Sequence, residues 1–477
     1  MTRGISFKDV SFSYSPSGKS RAIADFSAEF EAEKITVLTG VSGCGKSTLL
    51  YLAAGIFPAN SGALISGCIT VDGKNPADLP AHMRCRLVGM MFQNPELQFC
   101  MNTVENEMIF CLENIQMPPQ NMMQMIDVAL SFCGISHLRA RTLHSLSGGE
   151  KQRVMLACIV ALRPAWLLLD EPFANVDDDS AEQIAQSLVK MNRELNTGIV
   201  AVDHRLHQWI GVADCLHVIG KKGCFSEKLE IKNVQPEQMA AFGISIPGQA
   251  YQSRLEQASD SKELLEIKEL TLDLGERRIL DGLEYRFHTG QIYAIVGNSG
   301  CGKSTLFSVL SGTQRAAGRI IFDNKTFDAG KRKRMNGVAY VAQNPQDQFI
   351  AETVYDEVAV GLKNTLKPDA LEKEVERVLR GISLWSYRKV SPYRLSQGQQ
   401  RRLGVAALLA LPCRVLICDE PTYAQDRNNT TAIMNTLQHE ARENGITLIF
   451  STHDRQLAED YADVILEMSG GKLHEIN

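Results

Sequence analysis

Two glycine-rich stretches of this chain have the composition of a phosphate cradle. The first runs through Gly40, Ser42, Gly43, Cys44, Gly45, Lys46, Ser47 and Thr48. The second runs through Gly297, Asn298, Ser299, Gly300, Cys301, Gly302, Lys303, Ser304 and Thr305. Both fit the pattern G-x-x-x-x-G-K-S/T. Glycines without a Cβ let backbone N–H groups converge on phosphate oxygens. Lys46 and Lys303 would reach the terminal phosphates, and the hydroxyls of Ser47 and Ser304 would ligate Mg²⁺. Paired acids supply the remaining chemistry: Asp170 with Glu171, and Asp419 with Glu420. The first acid of each pair suits Mg²⁺ coordination, the second the polarisation of an attacking water. His204 and His453 stand where a group that senses the terminal phosphate and orients water is needed.

These residues need particular elements to position them. Ile35–Leu38 and Ile292–Val296 are β-rich runs, each leading into a glycine loop and then an apolar helical pattern. That is strand–loop–helix, and the helix N-terminus adds a favourable dipole for an anion. Trp166–Asp170 and Val415–Asp419 are continuous apolar runs ending in acid, which suits parallel strands buried on both faces. Acids at the C-terminal end of such strands lie where ligands bind in open α/β sheets. His204 and His453 each follow another β-rich run, Ile199–Val202 and Leu448–Ser451.

The motifs recur in order, so the chain is an internal duplication. Lys46 returns as Lys303, 257 residues on; Gln93 as Gln343, 250 on; Asp170 as Asp419 and His204 as His453, each 249 on. The slippage places extra length in the first half between Lys46 and Gln93, near Ala59 to Pro80. Residues 233–263 are rich in Gln, Ser, Pro and Gly without clear periodicity and read as a linker. The expected division is a first domain over 1–232, a linker over 233–263 and a second domain over 264–477.

The 477 residues carry a formal net charge of −5. That argues against nucleic acid as a partner, since phosphate-tracking proteins carry a basic excess. The twelve cysteines form no C-x-x-C pair, which fits free thiols better than a disulfide framework. The N-terminus lacks the pattern of a secretory signal. No uncharged apolar run reaches membrane-spanning length, so the chain is expected not to cross a membrane itself.

Leu146-Ser147-Gly148-Gly149-Glu150-Lys-Gln-Arg153 and Leu395-Ser396-Gln397-Gly398-Gln399-Gln-Arg-Arg402 resemble the signature motif of ABC ATPases. Each Ser lies 23 residues before the acid of its half. The resemblance covers the chain except the linker. It implies an α/β fold of two tandem ABC-type P-loop NTPase domains. Each would have a RecA-like, mostly parallel core, an antiparallel β subdomain and a helical signature subdomain. It also implies ATP and Mg²⁺, with each ATP held between the phosphate loop of one domain and the signature of the other. Site one would join Lys46, Gln93, Asp170, Glu171 and His204 to Ser396, Gln397 and Gly398. Site two would join Lys303, Gln343, Asp419, Glu420 and His453 to Ser147, Gly148 and Gly149. Gln93 and Gln343 would share the Mg²⁺ with the serines and first acids. Asp177 and Asp426 match the D-loop position, the second within an altered motif. Tyr14 sits where the family stacks an aromatic ring on adenine, and its counterpart is Leu274.

Gln93-Asn-Pro-Glu-Leu-Gln-Phe99 with Thr103-Val-Glu-Asn-Glu107, and the matching residues 343–349 and 353–357, resemble the ATPases of energy-coupling factor importers. Residues 236–247 resemble the tail that follows the ATPase core there. By that resemblance the partners are a transmembrane coupling protein and a substrate-binding membrane protein. The cargo class is a vitamin, a vitamin precursor or a transition metal, and the location is the cytoplasmic face of a bacterial or archaeal membrane. The competing reading is a soluble tandem ABC ATPase acting on ribosomes or nucleic acid. The acidic charge and the lack of zinc or iron–sulfur cysteine spacing weigh against it.

Overall fold

The structure is a computed structural model. It describes residues 3–15, 21–41, 43–174, 176, 178–204, 206–220, 223, 226–231, 244, 250–251, 262–275, 277–298, 300–331, 335–363, 366–422 and 425–476. The chain divides into two compact units, Met1–Pro247 and Gly248–Asn477. Most of the expected linker lies outside the described residues, as do Ser42, Asp177 and Ser299 and the side chain of Gln397.

The first unit holds β1 (Gly4–Ser13), β2 (Ile23–Glu31), β3 (Ile35–Thr39), β4 (Ala63–Val71), β5 (Val88–Met91), β6 (Trp166–Asp170), β7 (Gly198–Val202), β8 (Cys215–Ile219) and β9 (Ser226–Glu230). They form a three-stranded antiparallel sheet, β2-β1-β4, and a six-stranded sheet, β5-β6-β7-β3-β8-β9. All neighbours in the larger sheet are parallel except β8 and β9. Strands β3, β6, β7 and β8 are buried at every residue. That is why they read as unbroken apolar runs rather than as alternation.

The second unit repeats this plan. Its strands are β10 (Glu263–Leu274), β11 (Arg277–His288), β12 (Ile292–Val296), β13 (Ala317–Phe322), β14 (Lys325–Asp328), β15 (Val338–Val341), β16 (Val415–Cys418), β17 (Thr447–Ser451), β18 (Val464–Ser469) and β19 (Lys472–Ile476). The antiparallel sheet is β11-β10-β13-β14 and the larger sheet β15-β16-β17-β12-β18-β19. Between β4 and Gln93 the first half has the seven-residue helix Ala81–Leu87, just after the expected stretch Ala59 to Pro80, whereas between β13 and Gln343 the second half has the short strand β14 and, among the described residues, no helix.

In each unit three helices pack on one another, continuous with the core under the large sheet in the first unit and as a separate apolar cluster in the second. Helices Val104–Asn114, Pro119–Phe132 and Gly148–Leu162 bury Val104, Met108, Leu112, Ile126, Leu130 and Val154 against one another. Val354–Leu362, Pro368–Gly381 and Gln397–Leu409 do the same with Val354, Val358, Leu362, Val375, Leu379 and Leu403. Spacings of three and four residues build each buried stripe. The architecture expected from the resemblance is thus present twice.

Candidate functional site

Strand order places the chemistry. In the order β5-β6-β7-β3, four adjacent parallel strands deliver, at the same edge, Gln93, Asp170 with Glu171, His204, and the first glycine loop. The order β15-β16-β17-β12 delivers Gln343, Asp419 with Glu420, His453, and the second loop. Residues far apart in sequence become neighbours because parallel strands share one C-terminal edge.

The glycine loops have backbone conformations closed to other residues. Gly40 has φ of 145°, and a Cβ there would lie 2.2 Å from the Ile219 carbonyl oxygen. Gly45, at φ 106°, caps the helix Lys46–Ala53, and a Cβ would meet Ile23 at 2.3 Å. Gly297 and Gly302 repeat this with φ of 148° and 113°. The buried Lys46 ammonium donates to the carbonyls of Gly40 and Val41 at 2.8 and 3.1 Å. Lys303 donates to Gly297 and Asn298 at 2.7 and 3.1 Å. Each ammonium is therefore centred on its own loop. Cys44 and Cys301 sit beside these lysines, their sulfurs 3.8 Å from the ammonium. The hydroxyls of Tyr14 and Thr48 share a hydrogen bond at 2.7 Å, so Tyr14 lies against the start of the phosphate-loop helix.

The carboxylates carry strain. Glu171 and Glu420 adopt left-handed backbone conformations, φ 49° and 48°. A non-glycine residue there costs about 1–3 kcal/mol. The turn aims each side chain back across the sheet edge. Glu171 is met by His204 Nε2 at 2.8 Å and by Gln93 Nε2 at 2.7 Å. His453 Nε2 lies 2.6 Å from Glu420 Oε1. An imidazole nitrogen facing a carboxylate carries its proton there, so the histidine orients the acid.

The first acids are buried beside the loop serines. Ser47 Oγ donates to Asp170 Oδ1 at 2.9 Å. Burial, and then the neighbouring Glu171, push the Asp170 carboxyl up to about 7, against the pull of Ser47 and Lys46. Burial also raises Asp419, opposed by hydrogen bonds from Ser304 and Ser451. Ser451 donates to Asp419 Oδ1 at 2.7 Å. A buried acid paired with a hydroxyl is a hard oxygen donor set of the kind Mg²⁺ takes. Among the described residues no group of three His, Cys, Asp or Glu stands ready to hold a metal ion. Gln93 has its amide nitrogen on Glu171, which leaves its carbonyl oxygen for a cation.

The signature residues open helices. Ser147 caps Gly148–Leu162 in a reciprocal box with Glu150, and Ser396 caps Gln397–Leu409 with Gln399. Gly149 is also a packing residue: a Cβ would lie 2.5 Å from Ser180 Oγ. At Gly398 a Cβ would meet the Gln425 side chain at 2.9 Å. Asp426 caps the helix Arg427–Glu443, accepting from Asn429 N at 2.8 Å.

Sequence reasoning missed the pins that shape the segments after Gln93 and Gln343. Gln98 accepts from Phe92 N at 2.8 Å and donates to the Met90 carbonyl at 3.0 Å. Glu107 accepts from Cys100 N and Met101 N, both at 2.8 Å. Gln348 and Glu357 repeat these contacts on Ala342, Ile350 and Ala351. The signal was present, since these residues recur at one spacing in both halves.

Comparison with known proteins agrees with this geometry. The ABC transporter family profile matches residues 23–174 and 280–423. A Bacillus subtilis (strain 168) protein with the provisional name HMP/thiamine import ATP-binding protein YkoD is 32% identical, over 97% of this chain and 89% of its own. A provisionally named ABC transporter ATP-binding protein of Methanosarcina acetivorans is 30% identical, over 98% of this chain and 85% of its own. The solved structure of an RNase-L inhibitor superposes with a TM-score of 0.63, 18% identity, 98% coverage of this chain and 91% of that one. The last likeness is one of fold. The chain belongs to the ABC transporter family, as two ATP-binding, ATP-hydrolysing cassettes in one polypeptide.

Proposed function

We propose that this chain energises a membrane importer of the energy-coupling factor type, for a vitamin, a vitamin precursor or a transition metal. The observation that carries the reading is the Gln93 segment. Its amide bonds the Glu171 carboxylate, and the same pinned segment presents Leu97 at 78% exposure. In the second half, Ile350 follows Gln343 and is 77% exposed. What sets these two exposed side chains apart is that each stands on the segment that follows a site glutamine, the place from which a bound partner would sense the nucleotide site. The import function in the name of the Bacillus subtilis relative supports the same reading. The partners are then a transmembrane coupling protein and a substrate-binding membrane protein, with this chain peripheral on the cytoplasmic face. Among the described residues no helix is long and apolar enough to cross a membrane.

In each half the lysine (Lys46, Lys303) binds the terminal phosphates, and the loop N–H groups cradle the rest. Ser47, Gln93 and Asp170, and in the second half Ser304, Gln343 and Asp419, would hold Mg²⁺, which would supply charge neutralisation at the phosphates. Glu171 and Glu420 take the proton of the attacking water, each oriented by its histidine. By the family resemblance, Ser396 and Gly398 would complete site one, and Ser147 and Gly149 site two. Site one also takes Tyr14 as its adenine platform.

The test is recovery of the chain from its own cells with associated proteins identified. Co-purification with small membrane proteins, lost on Leu97→Asp with Ile350→Asp, is the expected result. Co-purification with ribosomes instead sinks the importer reading in favour of a soluble ATPase.

A further inference from the structure

Besides the arginine that both carry, Arg153 and Arg402, the signature helices differ in where they place a second cation. In the first half the cation is Lys151, which pairs with Glu96 beyond Gln93. The next residue, Gln152, is neutral, buried, and donates to the Ala174 carbonyl at 3.4 Å. In the second half the order is reversed. Gln400 takes the place of Lys151 and bonds Gln346, beyond Gln343, at 3.1 Å. Arg401 takes the place of Gln152 and is 4% exposed. One step along a helix turns a side chain by about 100°. The charge has thus moved from the face meeting the loop surface to the face meeting the sheet edge.

Arg401 uses its guanidinium on two backbone carbonyls. One Nη–H donates to the carbonyl of Glu420 and another to the carbonyl of Gln343. A buried cation is costly unless its donors are engaged. Here the engaged groups are the peptides of the two residues that flank the proposed water site. The Glu420 peptide is held from its other end as well: its N–H donates to Ser451 Oγ at 2.9 Å. In the first half Val202 occupies the Ser451 position, and the Glu171 N–H donates to the Val202 carbonyl at 2.9 Å. The left-handed turn at Glu420 is therefore clamped by two side chains, Arg401 and Ser451. At Glu171 the matching positions are Gln152, which bonds Ala174, and Val202, which offers its backbone.

We infer that Arg401 is a positioning residue for the second-half site. It holds the Glu420 and Gln343 backbones in register and ties them to the helix that carries Ser396 and Gly398. This rests on the reading of Glu420 and Gln343 as hydrolytic residues. Gln at position 401 is what the first half uses, so Arg401→Gln is a substitution the fold accommodates.

The experiment is steady-state ATPase of the full chain in a Glu171→Gln background, where remaining turnover passes through Glu420. Arg401→Gln should lower kcat at least fivefold, with KM and equilibrium ATP binding within about twofold and an unchanged unfolding midpoint. Arg401→Lys should recover at least half of kcat, since an ammonium can still donate to these carbonyls. Unchanged kcat in Arg401→Gln, a parallel loss of ATP binding, or no recovery by lysine overturns the proposal. If Glu171→Gln alone has no turnover, the sites fire only together, and the same variants are read in the otherwise unchanged chain with the same criteria. Wild-type kcat in Glu420→Gln sinks the underlying reading. Impaired Glu420→Gln beside a normal Arg401→Gln sinks the Arg401 role alone.

Discussion

At the scale of single residues, the first-half site turns on Glu171, whose left-handed backbone sets its carboxylate between Gln93 and His204. Sequence order named Glu171 and His204, but only the strand order brings them to 2.8 Å. The left-handed φ of Glu171 has no signature, because glutamate rarely adopts it. Replacing both Glu171 and Glu420 by Gln keeps shape and removes the base, so kcat should fall roughly 10²–10⁴-fold. ATP binding should survive, and undiminished ATPase would remove both residues from the chemistry. A second residue-scale consequence concerns stability. His217 in β8 packs on Phe30, ring centroids 5.0 Å apart, and its buried Nδ1 has no hydrogen-bond partner among the described residues. Burial first, and then Lys228, hold its pKa down to about 4, against the opposing pull of Glu31. Below the unfolded value near 6.5 the unfolded chain binds a proton that the folded chain refuses. Stability therefore falls as pH drops from about 6.5 towards 4 and the effect then levels off, at an upper limit of about 3 kcal/mol. Unfolding of wild type and His217→Leu at pH 7 and pH 5 checks this: the wild type should lose more between the two.

Elements were legible where one periodicity dominated. The all-buried strands β3, β6 and β7 announce themselves in sequence. Local pins did not, because a polar residue in a loop or at the start of a helix does not say which backbone group it meets. Glu107 is the clear case: one carboxylate oxygen accepts from two backbone N–H groups, Cys100 and Met101. Glu107→Ala takes a charged acceptor from two part-buried donors that water can partly satisfy, at a cost of at most about 1.5–3 kcal/mol, the range for a hydrogen bond to a charged group. Faster hydrogen exchange at those two amides, with a lower unfolding midpoint, is the expected result. The signature glycines differ in the same physical way. Gly149→Ala drives a Cβ against Ser180, on a rigid helix, where overpacking costs about 1–3 kcal/mol. Gly398→Ala meets the end of the flexible Gln425 side chain instead. Thermal unfolding should therefore place Gly149→Ala well below Gly398→Ala, and equal midpoints would contradict the packing role.

At the scale of the whole chain, duplication was legible from motif offsets, yet the halves have diverged around the nucleotide. Tyr14 is 50% exposed, and its ring meets Phe12 and Phe57 edge-on, with its phenol on Thr48. That geometry leaves an aromatic surface at the mouth of the first phosphate loop. In the second half β10 runs on to Leu274, which pairs with Arg277 across a short turn. Arg277 then donates to the Gly300 carbonyl at 3.4 Å, so a guanidinium stands beside that loop where the first half has a ring. Base stacking on an aromatic is worth about 1–3 kcal/mol in single-stranded nucleic acid binding. On that scale the first-half site binds ATP roughly 5- to 150-fold more tightly than the second. Equilibrium titration of the full chain should resolve two classes of site. Tyr14→Ala should weaken the tighter class towards the other and leave the second class in place. Two identical sites, unmoved by Tyr14→Ala, would mean that adenine is held some other way and that the divergence of the two hairpins does not reach the nucleotide.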